Sequence, residues 1–290
     1  MYYAKDKYVL ITSAHNEAEL IEHTIKSILN QQLKPVEWII IDDGSSDNTS
    51  EIVKKIATGN SFIKLFYKKP DPRRDFSSKV NAIHLAVSKI TSKEYDYLGI
   101  LDADITFSSS YYASVMSKFE KDKKLGIVGG LIYDIVNGKT IPLYLHPNIT
   151  RGAVQFFKRE CFEEIGGLLP LKYGGEDSAA CFSARLKGWE VKNFEDLIGY
   201  HHRLAGTADR SIYKARFREG FVEYHLGYHP LFEFVKCISR FKEQPVIAGS
   251  IVRFIGFWWA NLKSEKRLIP KDLINYIRQE QLSRIFKFHF

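Results

Sequence analysis

Apolar and polar positions change period several times along the first two-thirds of the chain, and each change marks an element. YVLIT at Tyr8 to Thr12 is a short β-branched apolar run, the pattern of a strand buried on both faces. Leu20, Ile21, Ile25, Ile28 and Leu29 then fall at helical spacing and predict an amphipathic helix. EWIIIDDGSSDNTSEIVKKIA repeats the order, with a strand to Ile41, a polar turn, and a helix capped by Asp47 or Thr49. FIKLFYK predicts a third strand, VNAIHLAVSKI a helix and YDYLGIL a fourth strand. This alternation predicts an α/β fold, a parallel sheet covered on both faces. Beyond Arg203 the pattern becomes long, basic, aromatic-rich helices. The expected division is a sheet domain over 1–205 and a helical subdomain over 206–290.

Ligands of open parallel sheets bind beyond the carboxyl ends of the strands, where loops diverge and helix N-termini point inward. Asp42 and Asp43 end the second predicted strand, and Asp102, Ala103 and Asp104 follow the fourth, so four carboxylates collect along one edge. Acids gathered in this way hold something positive. A hard divalent cation such as magnesium or manganese, completing its shell with phosphate oxygens, fits oxygen donors of this kind. Alternate side chains of an extended strand point apart, so the chain must bend at Asp102–Ala103–Asp104 for both acids to serve one site. The plain alternative is that Asp102 caps a turn.

Composition narrows the partners. The 290 residues carry a formal net charge of +8, which suits a nucleotide, nucleic acid, phospholipid headgroups or an acidic glycan. Cys161, Cys181 and Cys237 are widely spaced and form no CxxC pair, which argues against a disulfide framework or thiolate zinc site and for a reducing cytoplasmic setting. No secretory leader is expected in MYYAKDKYVLITSAHNE. Val246 to Leu262 is strongly apolar, but Arg253 interrupts it and it is too short to span a bilayer. It predicts a helix, either buried or lying in a membrane interface through Phe254, Phe257, Trp258 and Trp259 with Lys263, Lys266 and Arg267 beside them.

VLITSAHNEAELIEHTIKSILNQ, IIIDDGSSDNTSEIV, KVNAIHLAV, GILDADITF and GGEDSAACFSARLKGWEV occur in the order of family 2 glycosyltransferases, and from about Tyr8 to Arg203 the chain resembles that family. The resemblance implies an inverting enzyme of the GT-A fold, a Rossmann-like, mostly parallel sheet with helices on both faces. It implies that Asp42, or Asp43 in its place, bonds the nucleotide base, with Ala14, Asn16 and Glu17 shaping the pocket. Lys79 and Asn81 would help hold the donor, and Arg73 and Arg74 lie in a loop that could close over a diphosphate. By the resemblance Asp102, Ala103 and Asp104 would form the DxD motif that holds Mn2+ or Mg2+ and the sugar nucleotide. His201 or His202 would complete the metal shell, with Arg203 near the phosphates. In the family the Asp of the ED motif is the general base, here Asp177, and Glu176 would orient the acceptor. Two glycines and a helix start place these acids at a positive helix end.

The expected reaction moves a sugar from a nucleoside-diphosphate sugar, most simply a UDP-sugar, to a hydroxyl of a saccharide or lipid-linked saccharide in surface polysaccharide or glycan assembly. The expected location is cytoplasmic, with peripheral contact at the inner membrane face. The Gln-x-x-Arg-Trp signature of processive synthases is not matched, since QLSRI at Gln281 lacks tryptophan, which points to single-sugar transfer. Phe156, Phe157 and Phe162 read as core. A nucleotidyltransferase would need a glycine-rich, basic loop after the first strand, where SAHNEAEL has acids and no glycine. A basic nucleic-acid-binding module is suggested by net charge alone, and acids at the strand ends oppose a phosphate backbone. No nucleic-acid partner is expected.

Overall fold

The computed structural model describes residues 7–71, 74–136, 138–143, 146–203 and 211–287. Residue contacts divide the chain into two units, Met1–Pro170 with Glu176–Ala205, and Leu171–Gly175 with Gly206–Phe290.

The first unit is built on β1 (Tyr8–Ala14), flanked by β2 (Glu37–Asp42) and β4 (Tyr97–Ile100), with β3 (Ile63–Tyr67) outside β2, all parallel. The connections are α1 (Ile21–Leu29), α2 (Thr49–Ala57) and α3 (Ser77–Ser88). Successive side chains of a strand face opposite ways, and two cores result. Tyr8, Leu10, Trp38 and Ile40 pack with Ile21, Ile25 and Val53 on one face. Ile11, Ile39, Ile41 and Ile100 pack with Val80, Ile83 and Ala86 on the other. Burial on both faces explains why these strands read as continuous apolar runs.

The rest of the sheet departs from the parallel expectation. β5 (Ile105–Phe107) is followed by α4 (Tyr111–Lys121), β6 (Leu125–Val136), β7 (Lys139–Pro142), β8 (Phe156–Lys158), α5 (Arg159–Glu164), α6 (Glu176–Leu186) and β9 (Glu190–His201). The order is β3-β2-β1-β4-β8-β6-β9-β5, with β7 on β6. β6 and β9 are parallel, whereas β8 runs against β4 and β6, β5 against β9, and β7 against β6. The reason is local: the chain leaves β4 at Ile100 and bends through Asp102–Asp104, so β5 pairs far away on β9 and no longer continues its parent strand. The start of α2 also differs, since Asn48 is the cap residue, while Asp47 accepts the Thr49 N–H at 3.0 Å. Phe156, Phe157 and Phe162 are core residues. Cys161, Cys181 and Cys237 are buried free thiols. Burial pushes Cys181 up to about 11 and Cys161 up to about 12.

The second unit contains α7 (Ile212–His225), α8 (Pro230–Ser239), α9 (Ala248–Leu262) and α10 (Lys271–Lys287). α7 and α9 meet backbone to backbone. A Cβ on Gly220 of α7 would lie 1.9 Å from the Arg253 carbonyl oxygen, and one on Gly256 of α9 would lie 2.1 Å from that of Phe217. Gln281, the glutamine of QLSRI, accepts the His229 N–H at 2.8 Å, and Arg284 pairs with Glu280 at 2.6 Å, so both are used within the helices. Glu223 and Glu233 are buried beside Lys236 and Arg253. No helix among the described residues is long and apolar enough to cross a membrane.

Candidate active site

The loops after β1 and β2 are stapled to each other. The Asn16 N–H donates to Ser45 Oγ at 3.0 Å, the Ser46 N–H to Asn16 Oδ1 at 2.8 Å, and the Glu17 N–H to Thr49 Oγ1 at 2.8 Å. Asn16 takes φ 56°, a left-handed conformation that asparagine tolerates. Ala14 is buried at the end of β1. Asp42 is consumed inside its own turn, accepting the Ser45 N–H at 2.7 Å and the Ser50 hydroxyl. Asp43 pairs with Lys68 at 2.5 Å and Arg74 at 3.3 Å, and its buried Oδ2 accepts no hydrogen bond.

After β4 the bend brings both acids of DAD to one cavity of about 220 Å³, lined also by His15, Glu17, Arg74, Lys79 and Arg203. Each acid meets a cation of the chain. Asp102 lies 2.5 Å from Lys79 Nζ, and Asp104 Oδ2 lies 2.6 Å from Arg203 Nε. Arg203 also reaches Glu17. Register supplies the next partner, because His201 on β9 stands opposite Ile105 of β5 and Asp134 of β6. Its Nε2 lies 3.1 Å from Asp104 Oδ2 and its Nδ1 2.8 Å from Asp134 Oδ1. His202 faces elsewhere, with Nε2 2.8 Å from Thr106 Oγ1 and its ring 6.1 Å from that of His23.

The electrostatics follow from these pairs. Burial opposes the charge on Asp104, but the His201 hydrogen bond and the charges of His201, Arg203 and Lys79 outweigh it and hold the carboxyl below its ordinary range. Burial likewise opposes the charge on His201, and the two carboxylates overcome it and raise its pKa. Burial lowers that of His202. Glu17 is pushed up to about 7 by burial, with Asp104 and Asp102 adding to the rise and Arg203 opposing it.

Gly174 and Gly175 both take φ +93° before α6 begins at Glu176, a conformation open to glycine. The Asp177 carboxylate accepts the Ser178 N–H at 2.6 Å and the Gly152 N–H at 3.2 Å. Gln155 donates to the Asp177 carbonyl at 3.1 Å. Burial and the Asp177 charge raise the pKa of Glu176. Burial lowers that of Arg151, against the charges of Asp177 and Asp134. Burial also opposes the charge on Lys79, yet Asp102, Glu176 and Asp177 together raise its pKa. Backbone geometry also links the two motifs, since the Asp102 N–H donates to the Ala153 carbonyl at 3.0 Å while the adjacent Gly152 N–H holds the Asp177 carboxylate at 3.2 Å.

Not every expected residue is brought in. Asn81 is exposed, roughly 200° around α3 from Lys79, and does not line the cavity. Arg73 lies outside the described residues. Asp134, His15 and Arg151 were missed from sequence. An acid inside the apolar run LIYDIV was the available signal for Asp134, because a buried carboxylate requires a partner. Among the described residues no three His, Cys, Asp or Glu side chains are grouped to hold a metal ion as they stand. The donors nevertheless fit a hard cation in kind. Asp104 Oδ1 is buried without a hydrogen-bond partner, and Asp102 lies beside it in the same cavity.

A sheet edge that gathers DAD and basic side chains around one cavity, with ED at a neighbouring helix start, defines the GT-A class of glycosyltransferases. The family described as "Glycosyl transferase family 2" matches residues 9–175, and the chain belongs to it. Poly-beta-1,6-N-acetyl-D-glucosamine synthase of Staphylococcus aureus (strain COL) is 36% identical over 203 residues, 63% of this chain and 46% of that protein. The Staphylococcus epidermidis protein of that name is 30% identical over 122 residues, 41% of this chain and 27% of its own. The chain thus spans no more than about half the length of these relatives. Among solved structures, the mannosyltransferase PcManGT from Pyrobaculum calidifontis, in complex with GDP-Man and Mn2+, superposes with TM-score 0.59 at 18% identity, covering 90% of this chain and 76% of that one. S. aureus TarS 1-349 in complex with UDP-GlcNAc gives 0.57 at 14%, covering 87% and 71%. These two likenesses establish the fold.

Proposed function

We propose that the chain transfers a sugar with inversion from a nucleoside-diphosphate sugar, a UDP-sugar first, to a hydroxyl of a saccharide or lipid-linked saccharide in polysaccharide assembly at the cytoplasmic face of the membrane. The observation that carries this reading is Lys79, paired with Asp102 and within the field of Glu176 and Asp177. In this reading Lys79 lies between the donor phosphates and the base. The relatives named above support the substrate class.

In this reading the acceptor oxygen attacks the anomeric carbon, its proton passes to Asp177, and the bond from that carbon to the diphosphate oxygen breaks with its electron pair on the leaving group. The backbone N–H groups of Gly152 and Ser178 fix the Asp177 carboxylate for this task. Asp43, whose Oδ2 meets Arg74 at 3.3 Å, is a better candidate to bond the base than Asp42, both of whose oxygens accept hydrogen bonds inside their own turn. Lys79, Arg74 and Arg203 would meet the diphosphate once it displaces them from their carboxylates. Asp102 and Asp104 would hold Mn2+ or Mg2+, which when bound supplies positive charge to the leaving diphosphate.

The test measures nucleoside-diphosphate release and the anomeric configuration of the product, with and without acceptor, for the chain and for Asp177→Asn. Loss of the base should lower kcat about 10²- to 10⁴-fold while donor binding stays within a few-fold. Undiminished transfer by Asp177→Asn, or a product of retained configuration, would overturn the assignment.

A further inference from the structure

The second unit presents an apolar face to solvent. On α8, Phe234, Val235 and Ile238 are each more than 40% exposed, and on α9, Ile251, Ile255 and Trp259 are about half exposed. These positions recur at three- and four-residue spacing, so each helix carries one stripe. The Phe234 ring of α8 meets the Phe254 ring of α9 at 6.1 Å, so the stripes adjoin. The opposite side of α9, with Gly249, Arg253, Gly256 and Phe257, is buried, and Arg253 is bonded there to Glu219.

Charge says what covers this face. Leu171–Gly175 and Gly206–Phe290 contain sixteen Lys and Arg against eight Asp and Glu, whereas the rest of the chain contains twenty-six of each. The whole net charge of +8 therefore belongs to the unit that carries the apolar stripes. At the end of α9, Lys263 Nζ sits 4.7 Å over the Trp259 ring, and Lys266 follows, also exposed. An aromatic residue beside lysines at the end of an apolar stripe suits the headgroup level of a bilayer.

We propose that α8 and α9 form a docking face for an anionic phospholipid bilayer, with both helices lying in the plane of the interface. α9, at 15 residues, spans about 22 Å, short of the roughly 30 Å hydrocarbon layer. Its buried face is already committed to the protein. Docking needs no sugar nucleotide, so it stands or falls separately from the transfer reaction.

The experiment is flotation of the purified chain with phosphatidylcholine vesicles, with and without phosphatidylglycerol. It compares wild type, Ile255→Glu/Trp259→Glu and Lys263→Glu/Lys266→Glu, with circular dichroism melts and sedimentation velocity on each. The chain should float with anionic vesicles, and the apolar-face variant should bind about tenfold less with its melt unchanged. The lysine variant should bind less to anionic vesicles alone. Raising salt from about 0.1 M to about 1 M shortens the Debye length from about 10 Å to about 3 Å and should weaken binding. No flotation of the wild type, or binding undiminished in both variants, overturns the proposal. A concentration-dependent dimer abolished by Ile255→Glu/Trp259→Glu also overturns it and assigns the face to a second copy.

Discussion

Gly220→Ala adds a single methyl group to the seam between α7 and α9. That carbon would lie 1.9 Å from the Arg253 carbonyl oxygen and 3.0 Å from the Phe257 nitrogen. A relaxed carbon-to-oxygen approach is about 3.3 Å, so the helices must part by more than about 1 Å along that line. The buried Phe257, fully enclosed on the α9 side, then loses part of its contact. Overpacking costs of about 1–3 kcal/mol are typical, against a helix-propensity gain of about 1 kcal/mol for alanine over glycine. A clash with backbone atoms belongs at the upper end of that range, so the expected net loss is about 2 kcal/mol. Gly256→Ala should behave alike, since its methyl group would meet the Phe217 oxygen at 2.1 Å. The double variant should lose less than the sum, because the first methyl has already opened the seam for the second. Hydrogen exchange read peptide by peptide is the assay, since it separates α7 and α9 from the β1 core. Protection should fall in α7 and α9 and hold in β1. Wild-type protection in Gly220→Ala, or fully additive losses in the double variant, would refute the reasoning.

Three other outcomes are expected. Trp38 Nε1 donates to Thr12 Oγ1 at 3.0 Å with both side chains fully buried, so Thr12→Val strands that donor and should cost about 1–3 kcal/mol in a urea titration. Asp134→Asn removes one of the two charges that raise the pKa of His201, so an NMR titration of the His201 ring should show it fall, and unchanged titration would remove Asp134 as its positioning partner. Burial, aided by the Glu223 charge, pushes Glu233 up to about 8 from its ordinary value of 4.5. The folded state then binds more protons than the unfolded state between these values, so Glu233 makes stability fall as pH rises across that window. Glu233→Gln should flatten this slope, and denaturant midpoints at pH 5 and pH 8 that change as in the wild type would count against the assignment.

The early half of the fold was legible because β1, β2 and β4 are buried on both faces and therefore write themselves as apolar runs between amphipathic helices. β5 was not, because three residues are too few to differ locally from a loop. DAD and ED were legible as charged groups at element ends, and the cavity gathers the acids of DAD with Glu17 and Lys79. What sequence order could not supply was pairing. Arg203 reads as a phosphate ligand, yet here it faces Asp104 and Glu17. Lys79 and Asn81 read as a pair, yet two residues along a helix point apart.

The three buried thiols have a practical consequence. With Cys161, Cys181 and Cys237 enclosed and each pKa raised by burial, the native chain should be nearly silent to maleimide dyes at neutral pH. A cysteine installed at an exposed position, Ile255 for example, would be the one fast-reacting handle without removal of any native cysteine. A polarity-sensitive fluorophore or spin label there would report what surrounds that side of α9 in real time.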